Sequence, residues 1–258
     1  MPRRYPLILN PRARSERAER ALRFVMENAT RFAIYASNSP EEAGGLAKRF
    51  AAEGEPVVVA AGGDGTLNAV VGGLVGSGTI LGILPTGTMN VFARELQIPF
   101  AHLKRALEII DDGHVKEVDL FEANGTPFVQ MAGVGFDAQV IEETTSESKR
   151  RLGPLAYLLA AARVLGEKPP RMTVRFDEGN SVEGACVLLG NGALYGGQFR
   201  LFGKADNADD LLDVLVYKEA GYKAVLGSLG QLAQGGYEQD SKLVEYFQTS
   251  GLTVECDR

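Results

Sequence analysis

A glycine-rich turn wedged between an apolar run and a helical run constrains this chain more than any other feature. Pro56-Val57-Val58-Val59-Ala60-Ala61 reads as a buried strand, and Leu67 to Val75 has helical spacing. Between them stands Gly62-Gly63-Asp64-Gly65-Thr66. Three glycines in four positions let the backbone enter φ > 0 and approach a ligand closely. Their N–H groups and the N-terminus of the next helix make a site for phosphate. A carboxylate in such a loop repels phosphate unless a divalent cation lies between them, as Mg²⁺ does in phosphoryl transfer. Asp64 is therefore a candidate for metal and catalytic chemistry. The competing reading is a glycine-rich surface turn with no ligand.

The surrounding pattern decides where that turn sits. Tyr5 to Leu9 reads as a strand ended by Asn10-Pro11. Ser15 can cap a helix from Glu16 to about Asn28, whose Ala18, Leu22, Val25 and Ala29 step by three and four. Arg31 to Ala36 is a second strand, and Ser39-Pro40-Glu41-Glu42 is a capping box opening a helix to about Glu53. After the glycine turn, Thr79 to Leu84 is another buried strand. This alternation argues a parallel, doubly wound sheet with ligands at the carboxyl ends of its strands. Asn10, Asp64 and the loop Pro85-Thr86-Gly87-Thr88-Met89-Asn90 all fall at such ends. Thr86, Thr88 and Asn90 offer neutral hydrogen-bonding groups that can face the same nucleotide. Otherwise the loop is a helix start, with Thr88 as N-cap of Met89 to Leu96. Phe100 to Asp112 reads as a helix stopped by Gly113.

Beyond Lys116 the pattern changes to strands. Val118 to Ala123 and Pro127 to Met131 flank Asn124-Gly125, a hairpin signal. Arg171 to Phe176, Val182 to Leu189, Leu211 to Tyr217, Leu243 to Phe247 and Leu252 to Cys256 follow. Two helical segments, Gly153 to Leu165 and Tyr222 to Leu232, interrupt them. Strand after strand without a crossover helix argues an antiparallel second domain. The boundary is placed near Val118, giving domains 1–117 and 118–258.

Charge and composition narrow the function. A net charge of −6 excludes a broad basic face, so no nucleic-acid partner is expected. Cys186 and Cys256 lack metal-ligand spacing and fit a reduced, cytoplasmic chain. No apolar run reaches the ~18 residues of a spanning helix, and the N-terminus is expected to be a first strand rather than a signal peptide. Lys149-Arg150-Arg151 precedes an apolar helix and can touch an anionic bilayer, although a solvated charge run is the better reading of three charges. Gly133-Val134-Gly135-Phe136-Asp137-Ala138 matches a loose dinucleotide fingerprint but follows a hairpin strand rather than opening a βαβ unit. The phosphate-loop pattern ending in Gly-Lys-Ser/Thr is absent.

Taken together, these residues resemble the diacylglycerol kinase catalytic family, bacterial lipid kinases related to sphingosine kinase. The resemblance runs through Leu9-Asn10-Pro11, Gly62 to Asn68, and Gly82 to Arg94. It continues in Val118-Asp119-Leu120, Ala132 to Ala138, Gly190-Asn191-Gly192, Tyr195-Gly196-Gly197 and Asp209 to Asp213. It implies an N-terminal Rossmann-like parallel α/β domain and a C-terminal antiparallel β-sandwich, with ATP between them. It also implies Mg²⁺-dependent transfer of the γ-phosphoryl to a lipid hydroxyl, diacylglycerol being the best single substrate. The residues carried over for nucleotide are Asn10, Arg12, Gly62, Gly63, Asp64, Gly65, Thr66, Asn68, Thr86, Gly87, Thr88 and Asn90. Asp64 and Asp119 take the catalytic and metal roles. Asp209 and Leu212 belong to a loop that holds a second, structural cation. The lipid would be met at the inner face of the membrane by peripheral contact. The oligomeric state stays open, a homodimer included.

Departures from the family pattern matter as much. Arg12-Ala13-Arg14 replaces the usual glycine-containing turn, Val91 stands where many members carry Asp, and Asp210 replaces the Gly of the cation loop. No Asp-Gly-Glu follows the last strand-like run. In the family its Glu is a candidate general base, worth roughly 10²–10⁴ in rate. The expectation is that this chain binds Mg·ATP yet transfers phosphate poorly, and that a version ~40 residues longer would be active, still within ordinary domain size. An NAD kinase-like enzyme, sharing the Asp64 loop, and a nucleotide- or lipid-binding module with little turnover are the alternatives.

Overall fold

The structure is a computed structural model, and it describes residues 4–11, 16–135, 171–219, 228, 230–232 and 234–257, with the side chains of 16–18 set aside. Arg12, the Lys149 cluster and the Gly153 helix lie outside these residues. The chain divides into two compact units, Met1–Val129 and Gln130–Arg258.

The first unit is a four-stranded parallel sheet in the order β2-β1-β3-β4. Its strands are β1 (Tyr5–Leu9), β2 (Phe32–Ala36), β3 (Val57–Gly62) and β4 (Ile80–Pro85). Helices α1 (Glu16–Glu27), α2 (Pro40–Ala52), α3 (Asp64–Leu74), α4 (Val91–Glu95) and α5 (Leu103–Asp112) follow in turn. The near-continuous apolar strands have both faces covered. Ala47 and Phe50 of α2 and Leu67 and Val70 of α3 pack with Ile8, Val58, Ala60 and Ile83 on one side. Val25 of α1 and Leu107 of α5 pack with Leu7, Leu9 and Val59 on the other. Alternate residues of one strand thus feed opposite layers. The capping box forms as expected: Ser39 Oγ accepts the Glu42 N–H at 3.2 Å, and Glu42 Oε2 accepts the Asn38 N–H at 2.7 Å.

Because β1 pairs with β2 on one side and β3 on the other, the order reverses between β1 and β3. At such a switch point the loops leaving neighbouring strands diverge and open a crevice. Asn10 and Gly62 stand at this point, and the Asn10 N–H donates to Ala61 O at 3.3 Å.

The hairpin of β5 (Phe121–Ala123) and β6 (Thr126–Phe128) turns at Asn124-Gly125, both in the left-handed region at φ 49° and 81°. It lies within the first unit, so the compact division falls at 129/130 rather than at the change of pattern near Val118. The Asn68 side-chain amide donates to Pro127 O at 2.8 Å and ties the hairpin to α3.

In the second unit, β7 (Met131–Gly135), β10 (Cys186–Gly190), β13 (Leu212–Tyr217) and β14 (Val244–Thr249) form an antiparallel sheet in the order β14-β13-β10-β7. A second sheet joins β8 (Met172–Phe176), β9 (Ser181–Gly184) and β15 (Leu252–Cys256) in the order β15-β8-β9. Phe176 and Phe247, one from each sheet, pack with ring centroids 4.5 Å apart, as facing layers of a sandwich do. The single strand expected over Val182 to Leu189 is two: the chain changes sheets at Ala185, whose N–H donates to Tyr217 O at 2.8 Å. Strand β7, which carries Gly133 and Gly135, pairs antiparallel with β10, and the rest of that motif, from Phe136, lies outside the described residues. A short hairpin, β11 (Leu194–Tyr195) with β12 (Phe199–Arg200), was not expected from the pattern because each arm is two residues long. Among the described residues, no helix is long and apolar enough to cross a membrane.

Candidate active site

Strand β3 delivers the chain to Gly62, and α3 begins at Asp64 with Gly63 as an extended N-cap. The helix therefore opens inside the glycine turn, three residues ahead of the Leu67 start that spacing suggested. None of Gly62, Gly63 and Gly65 has positive φ, so the sequence expectation of left-handed glycines is corrected. Two are small for want of room instead. A Cβ on Gly62 would lie 2.4 Å from Thr66 Cβ, and one on Gly63 would lie 3.2 Å from Gly87 Cα. Nothing lies within 4 Å of a Cβ on Gly65.

The second loop is bonded directly to the first. Thr86 and Gly87 both donate their N–H to Gly62 O, at 3.0 and 3.2 Å. Asn90 holds the far side of this loop in the left-handed region at φ 50° and is 0% exposed. Its Oδ1 accepts the Gly87 N–H at 3.0 Å, while its Nδ2 donates to Gly87 O at 2.9 Å. Asn90, not Thr88, is the N-cap residue, and the helix is the shorter Val91–Glu95. Of the three polar side chains expected to face a nucleotide, Thr86 and Asn90 are buried and Thr88 is exposed. Asn, with its tolerance of the left-handed region, suits the turn that spacing alone assigned to Thr88.

Asp64 joins the two loops. Its Oδ1 accepts the Phe92 N–H of α4 at 3.1 Å. Burial pushes its carboxyl above the usual range, and the N–H groups of Phe92, Val91 and Asn90 pull it back. The carboxylate is thus held by protein N–H groups, Oδ1 by that of Phe92. Val91, at the family's Asp position, is buried. Asp119 is half-buried just ahead of β5. Among the described residues no group of three His, Cys, Asp or Glu could hold a metal. A single half-buried carboxylate at the start of a helix suits Mg²⁺ carried in by a nucleotide better than a resident all-protein cage.

Asp209 to Asp213 form the other candidate cation loop. Asp209 Oδ1 accepts the Leu211 N–H at 3.1 Å, and Asp210 takes the left-handed conformation at φ 60°. Asp210 thus adopts the backbone conformation for which glycine is the default residue. Sequence reasoning missed Asp213, which is 0% exposed. The Tyr246 hydroxyl donates to its Oδ1, whereas Oδ2 is buried without a hydrogen-bond partner. Burial first, then the charge of Asp209, pushes its carboxyl up to about 7, moderated by Gln248 and Lys204. The available signal was a carboxylate at a strand position flanked by Leu211-Leu212 and Val214-Leu215-Val216. An orphaned buried oxygen beside a second carboxylate fits a divalent cation.

Two glycine-bearing loops bonded together at the switch point of a parallel α/β unit, followed by an antiparallel sandwich unit, define a two-unit α/β-plus-sandwich class of fold. Residues 4–123 match the diacylglycerol kinase catalytic domain, and residues 130–258 match the YegS C-terminal NAD kinase beta sandwich-like domain. A diacylglycerol kinase of Staphylococcus saprophyticus is 30% identical over 262 residues, covering 98% of this chain and 85% of that protein. A protein of Synechocystis sp. is 32% identical over 227 residues, and the matched region spans 81% of this chain and 52% of that relative. The crystal structure of a diacylglycerol kinase from Bacillus anthracis str. Sterne superposes with a TM-score of 0.79 at 24% identity, covering 99% of this chain and 87% of that one. The chain belongs to the diacylglycerol kinase catalytic domain family of lipid kinases.

Proposed function

We propose that this protein transfers the γ-phosphoryl of Mg·ATP to the hydroxyl of a membrane lipid alcohol, diacylglycerol, giving phosphatidic acid. The observation that carries this reading is the bonding of the two loops into one surface: Gly62 O accepts from Thr86 and Gly87, and Asp64 reaches across to Phe92. That surface offers the first N–H groups of α3 to phosphate oxygens, with a carboxylate beside them. Phosphoryl transfer needs little covalent chemistry from the protein and much positioning and charge neutralisation. Bound Mg²⁺ would supply the neutralisation, held by Asp64 with Asp119 contributing. The chain itself orients the phosphates through the Gly62 to Thr66 amides, with Thr88 and Asn10 at the rim and Arg12 as a further phosphate partner. Asp209, Leu212 and Asp213 would hold a separate structural cation. The enzyme would act at the cytoplasmic face of a membrane by peripheral contact.

The test is incorporation of label from γ-labelled ATP into a panel of dispersed diacylglycerol, sphingoid base, ceramide, phosphatidylglycerol and NAD. Labelled phosphatidic acid is the expected product, with none from NAD. Label in NAD alone, or in no acceptor at all, would overturn the reading.

A further inference from the structure

Arg94 has no part in the chemistry assigned above, yet its side chain ties together the segments on both sides of α4. That helix has left-handed residues at either end, Asn90 at φ 50° and Gln97 at φ 57°, so the chain reverses before and after it. The Gln97 and Ile98 N–H groups close the helix on Arg94 O and Ala93 O at 2.9 and 2.8 Å. Across this double reversal, Arg94 Nε donates to Met89 O at 2.7 Å. Its guanidinium lies over the Phe100 ring, 3.7 Å from the centroid. One planar cation therefore bonds the residue before the helix and stacks on an aromatic after it, through a flat fork whose in-plane Nε donor and stacking face an ammonium does not share.

The loop so held is the one packed on the glycine turn. Asn90 grips Gly87 through both of its side-chain atoms, and Arg94 grips Met89. Between the two grips stands Thr88, the exposed hydroxyl of the loop. Gly87 in turn rests against Gly63. A shift of the Met89 carbonyl would move Thr88 and loosen the seat of Gly87, changing the surface that meets phosphate.

We propose that Arg94 is a positioning residue for the nucleotide, acting through Met89 and Phe100 on the Gly87 to Asn90 loop without touching the reacting atoms. This rests on the reading that the two loops bind Mg·ATP. Nothing in it depends on which lipid accepts the phosphate.

Calorimetric titration with Mg·ATP and with Mg·ADP, steady-state kinetics on diacylglycerol micelles, and thermal unfolding decide it for the wild type, Arg94→Lys and Phe100→Leu. Arg94→Lys is expected to weaken Mg·ATP binding and raise the KM for ATP about tenfold, with kcat and the KM for lipid within about threefold of wild type. Phe100→Leu keeps an apolar support but not the flat ring, and is expected to shift the same two constants about threefold in the same direction. Unfolding temperatures should stay close to the wild-type value. Wild-type nucleotide affinity in Arg94→Lys would overturn the proposal, as would an equal rise in the KM for lipid, which marks general damage to the site. Should Arg94→Lys not fold, wild-type nucleotide affinity in a folded Phe100→Leu overturns it equally. Failure of the wild-type protein to bind Mg·ATP would instead sink the nucleotide reading itself, and this inference with it.

Discussion

Gly87 and Gly63 touch backbone to backbone: a Cβ on Gly87 would lie 2.4 Å from the Gly63 Cα and 3.1 Å from its nitrogen. Neither neighbour is the far end of a flexible side chain, so neither can step aside without moving a strand end. The two glycine-bearing loops are therefore a single packed object, and Gly87→Ala should pry them apart. We expect a loss of about 1–3 kcal/mol from overpacking and at least about a tenfold loss of Mg·ATP affinity. Urea unfolding and titration calorimetry measure the two. Gly65→Ala is the contrast, because its Cβ would meet nothing within 4 Å. Sited in the first turn of α3, it should stabilise by up to about 1 kcal/mol. Equal effects from both substitutions would show that the contact is not what matters.

The bond from Phe92 to Asp64 and the metal role proposed for Asp64 can be separated by substitution. Asp64→Asn keeps an Oδ1 to accept the Phe92 N–H but removes the charge. Folding should survive while Mg²⁺-dependent turnover falls on the order of 10²-fold, as for loss of a preorganised electrostatic group. Asp64→Ala removes the acceptor as well and should also cost about 1–2 kcal/mol, as for a lost helix cap. Retained turnover with an unchanged Mg²⁺ dependence in the Asn variant would end the metal role of this carboxylate.

The Asp213 carboxyl gives stability a pH dependence of known sign. Its native value, about 7, exceeds the ordinary 3.8. The native state therefore binds the extra proton between those values, and the associated stability is present at the acid end and lost as pH rises toward 7. In EDTA the unfolding temperature should fall from about pH 5 to about pH 8 through this group. Mg²⁺ or Ca²⁺ should offset the fall at the alkaline end by binding the carboxylate. Asp213→Asn should flatten both the pH slope and the response to cation. A slope and cation response identical in the Asn variant would remove Asp213 from the loop's cation chemistry.

Much of the first unit was legible because its signals are local. The apolar run at Val57, the capping box at Ser39 and the Asn124-Gly125 turn each fix a conformation through adjacent residues, and each forms where expected. The reason for the glycines was not legible. Spacing suggested φ > 0, whereas Gly62 and Gly63 are small because Thr66 and Gly87 leave no room. Gly87 lies at the end of another strand, and no local pattern reports a contact across a parallel sheet. Ala185 illustrates the same limit in the second unit, where the chain crosses from one sheet to the other within the stretch Val182 to Leu189. Asp213 was hidden for the opposite reason: a buried carboxylate violates the strand pattern, and the pattern was followed.

Asn68 tests how far family resemblance assigns roles residue by residue. The resemblance places it with the nucleotide loop. In the fold its side-chain amide is spent on Pro127 O at 2.8 Å, one turn along α3 from Asp64. Gly72, one further turn along, completes the seat: a Cβ there would lie 3.2 Å from Pro127 Cγ. Asn68 thus anchors the β5–β6 hairpin to the helix that begins at Asp64, and Asp119 sits on the strand-side approach to that hairpin. Asn68→Ala leaves a carbonyl without its donor and should cost about 1–2 kcal/mol. Hydrogen exchange should quicken over Phe121 to Phe128 more than over α3, whose own ladder is untouched. Mg·ATP affinity should change less than about threefold, while kcat falls further if Asp119 loses its place. A large loss of nucleotide affinity with unchanged exchange in the hairpin would reverse the assignment and return Asn68 to the nucleotide itself.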